Sequence, residues 1–220
     1  MKIGIIGAGN IGGTLTRRLT ALGHTILVAN SRGPQSLANL AAETGAVPVP
    51  ITEIAQDVDM VIVSIPLKNI PSLPRRVFDV LPAGVVVIDT SNYTPKQRDG
   101  KIEEIENGMT ESRWTEAHLG HSVVKAFNTI FSQHLLTLGK PAGTPGRTAL
   151  PVAGDDALAK AVVIELIDQL GFDAVDAGGL DDSWRLQRGT PVSGRSDLDS
   201  EGIQKALAAA SPERPAEWRA

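Results

Sequence analysis

The residues with the clearest chemical potential stand at the N-terminus. Gly7-Ala8-Gly9-Asn10-Ile11-Gly12 follows the apolar run Ile3-Gly4-Ile5-Ile6 and opens a stretch with helical spacing. Between a strand and a helix each of these glycines has a task. Gly7 permits a tight turn, Gly9 lacks a Cβ and lets the main chain approach a pyrophosphate, and Gly12 lets the helix pack against the strand. The free N–H groups and partial positive charge of a helix start then favour an anion. A glycine-rich structural turn is the bland alternative. The strand before and the helix after favour dinucleotide binding.

The second signal is an absence. NAD-binding domains of this kind place Asp or Glu ~20 residues on, at the end of the second strand, to hold the ribose 2′-OH. This chain has Asn30-Ser31-Arg32 there, and no acid between Gly12 and Glu43. A carboxylate would repel a 2′-phosphate, whereas an arginine offers it a bidentate, charge-assisted pair and a serine hydroxyl adds a bond. The motif reads as selectivity for NADP. The alternative is a solvated loop arginine beside a helix-capping serine.

Ser64-Ile65-Pro66, Ser91-Asn92 and Asn128-Thr129 follow apolar runs that read as strands. Ligands of open α/β sheets bind beyond the carboxyl ends of strands, so these residues are placed to line a nicotinamide–ribose path. Ordinary turns explain Ser91-Asn92 and Asn128-Thr129 equally well. No catalytic acid–base constellation is visible. His24, His118, His121 and His134 fall in no ligand spacing and read as structural or surface residues. The chain has no cysteine, and no metal site is expected. Lys125 lies inside an apolar strand, where a paired or snorkelling lysine is the simpler reading. Phe127, Phe131 and Trp184 flank the expected crevice and could stack on a planar ring, but core packing is the simpler reading for any one of them.

The elements that must position these residues alternate between strand and helix. Strands are expected at 2–7, 24–29, 47–50, 60–65, 85–89, 122–127, 148–153 and 172–175. Helices are expected at 10–22, from Pro34 to Gly45, from Asp155 to Gly171, and at 199–210. The fold class is α/β, a Rossmann-type doubly wound, mostly parallel sheet extended by a small C-terminal α/β lobe. Residues 1–120 are expected to form the NADP-binding domain, and residues 121–220 a lobe completing the acceptor site.

With a net charge of -4, no long basic run and eight scattered aromatics, nucleic acid is not an expected partner. No apolar run approaches the ~18 residues of a membrane span. The glycine turn interrupts the first apolar run too early for a secretory signal. The expected setting is the cytoplasm, the expected partner a small-molecule hydride acceptor, and the expected assembly a homo-oligomer, most simply a dimer.

The segments IGIIGAGNIGGTL, NSR, VIVSIP, VVKAFNT, VAGDD and GFDAVDAGGL…SWR occur in this order. Together they resemble the NADPH-dependent F420 reductase family, the F420H2:NADP oxidoreductases, over residues 1 to about 192. The resemblance implies hydride transfer between NADP and the deazaflavin coenzyme F420, or a flavin, as second substrate. It implies that Ala8, Gly9, Asn10 and Ile11 wrap the pyrophosphate and that Ser31 and Arg32 hold the 2′-phosphate. It further implies that Ile65, Asn69, Asn92 and Ser132 line the rest of the dinucleotide, with the deazaflavin on the loop from Asn128 to Ser132 and near Trp184. Three features depart from archaeal members: Gln35-Ser36 replaces a lysine, Asn128 stands at a histidine position, and the C-terminal tail diverges. The oxidoreductase domain of six-transmembrane ferric reductases is similar too. Direct transfer between stacked rings needs orientation more than an acid or base. Two alternatives stay open: a non-catalytic NADPH-binding or sensing protein, and an NADPH-dependent reductase of a small carbonyl or imine.

Overall fold

The computed structural model describes residues 1–220. Six parallel strands form the main sheet: β1 (Lys2–Ile6), β2 (Thr25–Ala29), β3 (Val47–Pro48), β4 (Met60–Val63), β5 (Val86–Asp89) and β6 (Val124–Lys125). Their order is β3-β2-β1-β4-β5-β6, the doubly wound Rossmann arrangement, with its switch point between β1 and β4. A second parallel sheet pairs β7 (Ala149–Val152) with β8 (Asp173–Asp176). The helices are α1 (Asn10–Ala21), α2 (Ala38–Thr44), α3 (Arg76–Asp79), α4 (Glu103–Glu106), α5 (Glu111–Leu119), α6 (Ser132–Thr137), α7 (Ala157–Gln169) and α8 (Ser200–Ala208).

Alternate residues of each strand face opposite layers. Ile3, Ile5, Ile26, Val28, Met60, Ile62 and Ile88 meet Leu15 and Leu19 of α1 and Val163 and Leu166 of α7. Ile6, Leu27, Val61, Val63 and Val87 meet Phe78 of α3 and Trp114 and Leu119 of α5. Both faces are covered, which is why these strands are apolar throughout. Leu150, Val152 and Phe172 share the first of these cores, so the C-terminal lobe is packed onto the main sheet. Lys125 and Ala153 join the two sheets through reciprocal main-chain hydrogen bonds of 2.8 and 3.1 Å.

Local chemistry ends the helices as the sequence suggests. The Asp156 carboxylate accepts from the N–H groups of Leu158 and Ala159 at the start of α7, and Asp199 accepts from Gly202 N–H in α8. Gly45 ends α2 with φ +80°, a left-handed conformation that favours glycine.

Two expectations are corrected. The strand at 122–127 shrinks to Val124–Lys125, and Val124 and Lys125 pair with Ile88 and Asp89. Phe127 has φ +62°, which ends the strand. The helix beginning at Pro34 starts as a 3-10 turn over Pro34–Leu37 before α2. Helices α3, α4, α5 and α6 are additions. Glu111, Ser112 and Thr115 of α5 are buried polar residues, so the helix has no clean apolar stripe to read.

Candidate functional site

The carboxyl ends of β1, β2 and β4 open into a cleft of about 760 Å³. Gly7, Ala8 and Gly9 form its floor, Asn30, Ser31 and Arg32 one wall, and Ser64, Ile65, Pro66 and Asn69 the other. Gly7 is held by its N–H donating to Ala29 O at 2.7 Å, and Ser64 N–H donates to Ile6 O at 2.8 Å. The turn is therefore tied to all three strand ends.

Two of the glycines are required by contact. Gly7 has φ +103°, and a Cβ there would collide with Ser64 O. A Cβ on Gly12 would collide with Gly7 O, so the first turn of α1 is packed against the glycine turn. Gly9 differs. A Cβ there meets nothing within 4 Å, because it would project into open space. The N–H groups of Ala8, Gly9, Asn10, Ile11 and Gly12 donate to no group of the protein. A run of unpaired donors at the start of a twelve-residue helix is a cradle for an anion.

Arg32 is the one charged residue lining the cleft. It is exposed and forms no ion pair within the chain. Asn30 shapes its loop: Asn30 Oδ1 accepts from Arg32 N–H at 2.9 Å, and Asn30 Nδ2 donates to Ser36 Oγ at 2.9 Å. Ser36 Oγ in turn donates to Gly33 O at 2.7 Å. Ser36, one of the two residues at the position where a lysine was missed, thus braces the loop that presents Arg32.

The other predicted residues lie outside this cleft. Asn10, Ile11 and Gly12 form the first turn of α1 beside it. Asn92 and Asn128 meet each other across the ends of β5 and β6. Asn92 Nδ2 donates to Asn128 O at 2.7 Å, while Asn128 Nδ2 donates to Asn92 Oδ1 at 3.2 Å and Leu186 O at 2.7 Å. Asn128 Oδ1 and Ser91 Oγ are buried without a partner. Ser132 begins α6. Arg18, near the C-terminal end of α1, donates to Leu135 O and Leu136 O near the C-terminal end of α6. Arg18 therefore ties α1 to α6.

The remaining candidates separate cleanly. Phe127 is fully buried, as its core-packing reading requires. Phe131 is half exposed, its ring steeply inclined to that of His134 at 77°, centroids 5.8 Å apart. Trp184 lines a separate cavity of about 390 Å³ with Glu106, Gln187, Arg214 and Arg219. None of the four histidines lines the cleft. His24 contacts Gln169, and His118 packs on Trp114, its ring centroid 3.9 Å away. Lys125 does not snorkel: it is fully buried between Asp89 and Glu111, at 3.7 and 3.5 Å. The sequence reading missed the far wall of the cleft, where Ser72 ends the 3-10 turn Leu67–Ser72 and Leu73 and Pro74 follow it. The spacing of Pro66, Pro71 and Pro74 was the available signal for an irregular wall there.

Residues 2–93 match the model of the family described as NADP oxidoreductase, coenzyme F420-dependent. A hypothetical protein of Sinorhizobium meliloti superposes with a TM-score of 0.78 at 32% identity, over 90% of this chain and 96% of that one. Residues 2–93 are a domain of the F420-dependent NADP oxidoreductase family. A candidate F420-dependent NADP reductase of Arthrobacter sp. FB24 shares the fold, with a TM-score of 0.69 at 23% identity over 83% of this chain and 87% of that one. The metalloreductase STEAP3 of Rattus norvegicus is 29% identical over 180 residues, 81% of this chain. The chain spans only 34% of that relative's length. No helix of this chain is long and apolar enough to cross a membrane.

Proposed function

We propose that the protein transfers a hydride between NADP(H) and a planar acceptor, a deazaflavin of the F420 type or a flavin. The observation that carries this reading is the cleft: five unpaired amides from Ala8 to Gly12, a Gly9 whose missing Cβ leaves open space, and Arg32 as its single charge. The amides would hold the pyrophosphate, and Arg32 with Ser31 the 2′-phosphate. With the 2′-phosphate beyond β2, the nicotinamide end of the dinucleotide points the other way, over β4, β5 and β6. Ser64, Ile65, Asn69, Asn92, Asn128 and Ser132 stand on that side. Half-exposed Phe131 follows them and offers an apolar ring face to a planar acceptor.

When bound, NADPH supplies a hydride from its dihydronicotinamide ring, and solvent supplies the balancing proton to the acceptor. The chain's own residues bind and orient. The Asn92–Asn128 pair is neutral, and the carboxylates of Asp89 and Glu111, at the end of β5 and the start of α5, are fully buried. No side chain at this end is arranged as a general acid. That suits transfer between stacked rings, where proximity and alignment supply the rate. It does not suit carbonyl reduction, which requires a proton donor.

The test is NADPH absorbance followed in parallel with F420, FMN, FAD and a ferric chelate. Stereospecifically deuterated NADPH should deliver its label to the acceptor from one face of C4. NADPH that binds but is oxidised by none of the four would replace this reading with a binding or sensing role.

A further inference from the structure

Behind the ends of β5 and β6 lies a group of four charges that the cleft does not use. Lys125 Nζ stands 3.7 Å from Asp89 Oδ2 and 3.5 Å from Glu111 Oε2. Glu111 Oε1 lies 3.2 Å from Arg214 Nη1, and Arg214 Nη2 donates to Gln187 Oε1 at 2.6 Å. The side chains of Asp89, Glu111 and Lys125 are fully buried, and that of Arg214 nearly so, at 11% exposure. Two positive and two negative charges leave the group neutral. Four segments contribute one charge each: β5, α5, β6 and the tail after α8. Arg214 also lies over the Tyr93 ring at 5.1 Å. Burial, with the hydrogen bond to Glu106, holds the Tyr93 phenol up at about 12, so it adds no charge.

Burying four charges is expensive, and an apolar replacement would serve stability as well or better. What this group holds is one residue. Lys125 Nζ donates to Ser91 O at 3.0 Å, and Asp89 Oδ1 accepts from Ser91 N–H at 2.9 Å. Asp89 Oδ2 is occupied by Ser112 Oγ at 2.7 Å. Both main-chain polar groups of Ser91 are therefore fixed by charged side chains. Asn92 follows directly and carries the pairing with Asn128. The chain of contacts runs from the tail, through Glu111 and Lys125, to the asparagine pair.

We propose that Arg214, Glu111, Lys125 and Asp89 form a buried positioning relay, through which the C-terminal tail fixes Asn92 and Asn128 at the nicotinamide end of the cleft. The inference rests on the hydride-transfer reading above. These four are positioning residues, since none of them lines the cleft. The relay acts at one end of the dinucleotide, whereas Arg32 and the glycine turn act at the other. Removing Arg214 should therefore leave coenzyme affinity in place and loosen the nicotinamide.

The experiment uses the full chain and its Arg214→Met and Arg214→Lys variants, with NADPH as the probe. Two quantities are read: the dissociation constant, and the fluorescence anisotropy of the bound dihydronicotinamide. Arg214→Met should bind NADPH within threefold of the intact protein while the anisotropy of the bound ring falls toward that of a mobile one. Turnover per bound coenzyme should fall at least ~10-fold, because misplacement by an ångström can cost ~100-fold. Arg214→Lys keeps the charge beside Glu111 and should recover most of both. A folded Arg214→Met protein with unchanged anisotropy and turnover overturns the relay alone. If Arg214→Met does not fold, Arg214→Gln, which removes the charge beside Glu111 but keeps a polar side chain, is read in its place: a fall in anisotropy and turnover supports the relay, and values equal to those of the intact protein overturn it. Failure of the intact protein to bind NADPH overturns the hydride-transfer reading and the relay together.

Discussion

Replacing Arg32 by alanine should abolish most of the preference for NADPH over NADH. Arg32 is the only charge lining the cleft, it is exposed, and it has no carboxylate partner to give up. A cation and an anion 4 Å apart attract by ~1 kcal/mol in bulk water and ~4 kcal/mol at the effective dielectric of a protein surface. Hydrogen bonds to charged groups contribute about 1.5–3 kcal/mol net. An exposed guanidinium belongs in the lower half of that span, ~1.5 to ~2.2 kcal/mol, so the preference should lie between ~10- and ~40-fold at ~1.4 kcal/mol per decade. Asn30 and Ser36 hold the loop with bonds that do not involve the arginine side chain, so Arg32→Ala should keep the cleft intact. The assay is fluorescence titration of both coenzymes into intact and variant protein. NADH affinity should stay within about threefold, and the NADPH advantage should collapse. It should also shrink in the intact protein at high salt, since the screening length drops from ~10 Å at 0.1 M to ~3 Å at 1 M. Equal dissociation constants for the two coenzymes in the intact protein, or an undiminished ratio in Arg32→Ala, would refute the reasoning.

Gly9→Val should stay folded by circular dichroism yet lose NADPH binding, because its side chain enters open space at the amide cradle; unchanged affinity would move the site elsewhere. Gly7→Ala should instead lose stability, by ~2 kcal/mol or more, from the left-handed strain together with the collision with Ser64 O; a denaturant melt unchanged from the intact protein would contradict this. Arg18→Met should cost ~2 kcal/mol by the same melt, since Arg18 bonds to Leu136 O at 2.9 Å and Leu170 O at 2.5 Å and so ties α1 to the ends of α6 and α7. Asp99→Asn should destabilise at neutral pH. Burial alone would raise the Asp99 pKa, but the Arg98 guanidinium and the Thr94 amide more than offset it and hold the carboxyl below the usual carboxylate range. That contribution is complete above the unfolded pKa and is lost as pH falls through the folded one, so the gap to the intact protein should close in acid; a gap constant with pH would contradict the assignment. Alanine at His118, His121 or His134 should cost less than tenfold in turnover, as a positioned proton donor is worth ~100-fold or more. A hundredfold loss in a folded variant would reveal a general acid and favour carbonyl reduction.

The glycine turn and the Arg32 loop that line the cleft were legible in the sequence because they are built from consecutive residues. Gly7 to Gly12 and Asn30 to Arg32 each follow a strand, and their chemistry depends on local main-chain geometry and on side-chain charge. The main sheet was legible for a related reason: strands covered on both faces must be apolar, and β1, β4 and β5 announce themselves. Helix α5 was not legible, because Glu111, Ser112 and Thr115 are buried by partners from elsewhere and leave no apolar period. The end of β6 was hidden because the sequence carries no sign of the left-handed backbone at Phe127. The role of Lys125 also lay beyond sequence. A lysine in an apolar strand says only that its charge must be reconciled with burial. Its partners stand 14 residues before it in Glu111 and at the end of a neighbouring strand in Asp89, and the chain closes the group only at Arg214. Local patterns determine which segments can form a strand, a turn or an anion cradle. Which buried charges meet is decided by tertiary packing, since the attraction between them depends on distance through space and the local dielectric, and neither is written in sequence separation.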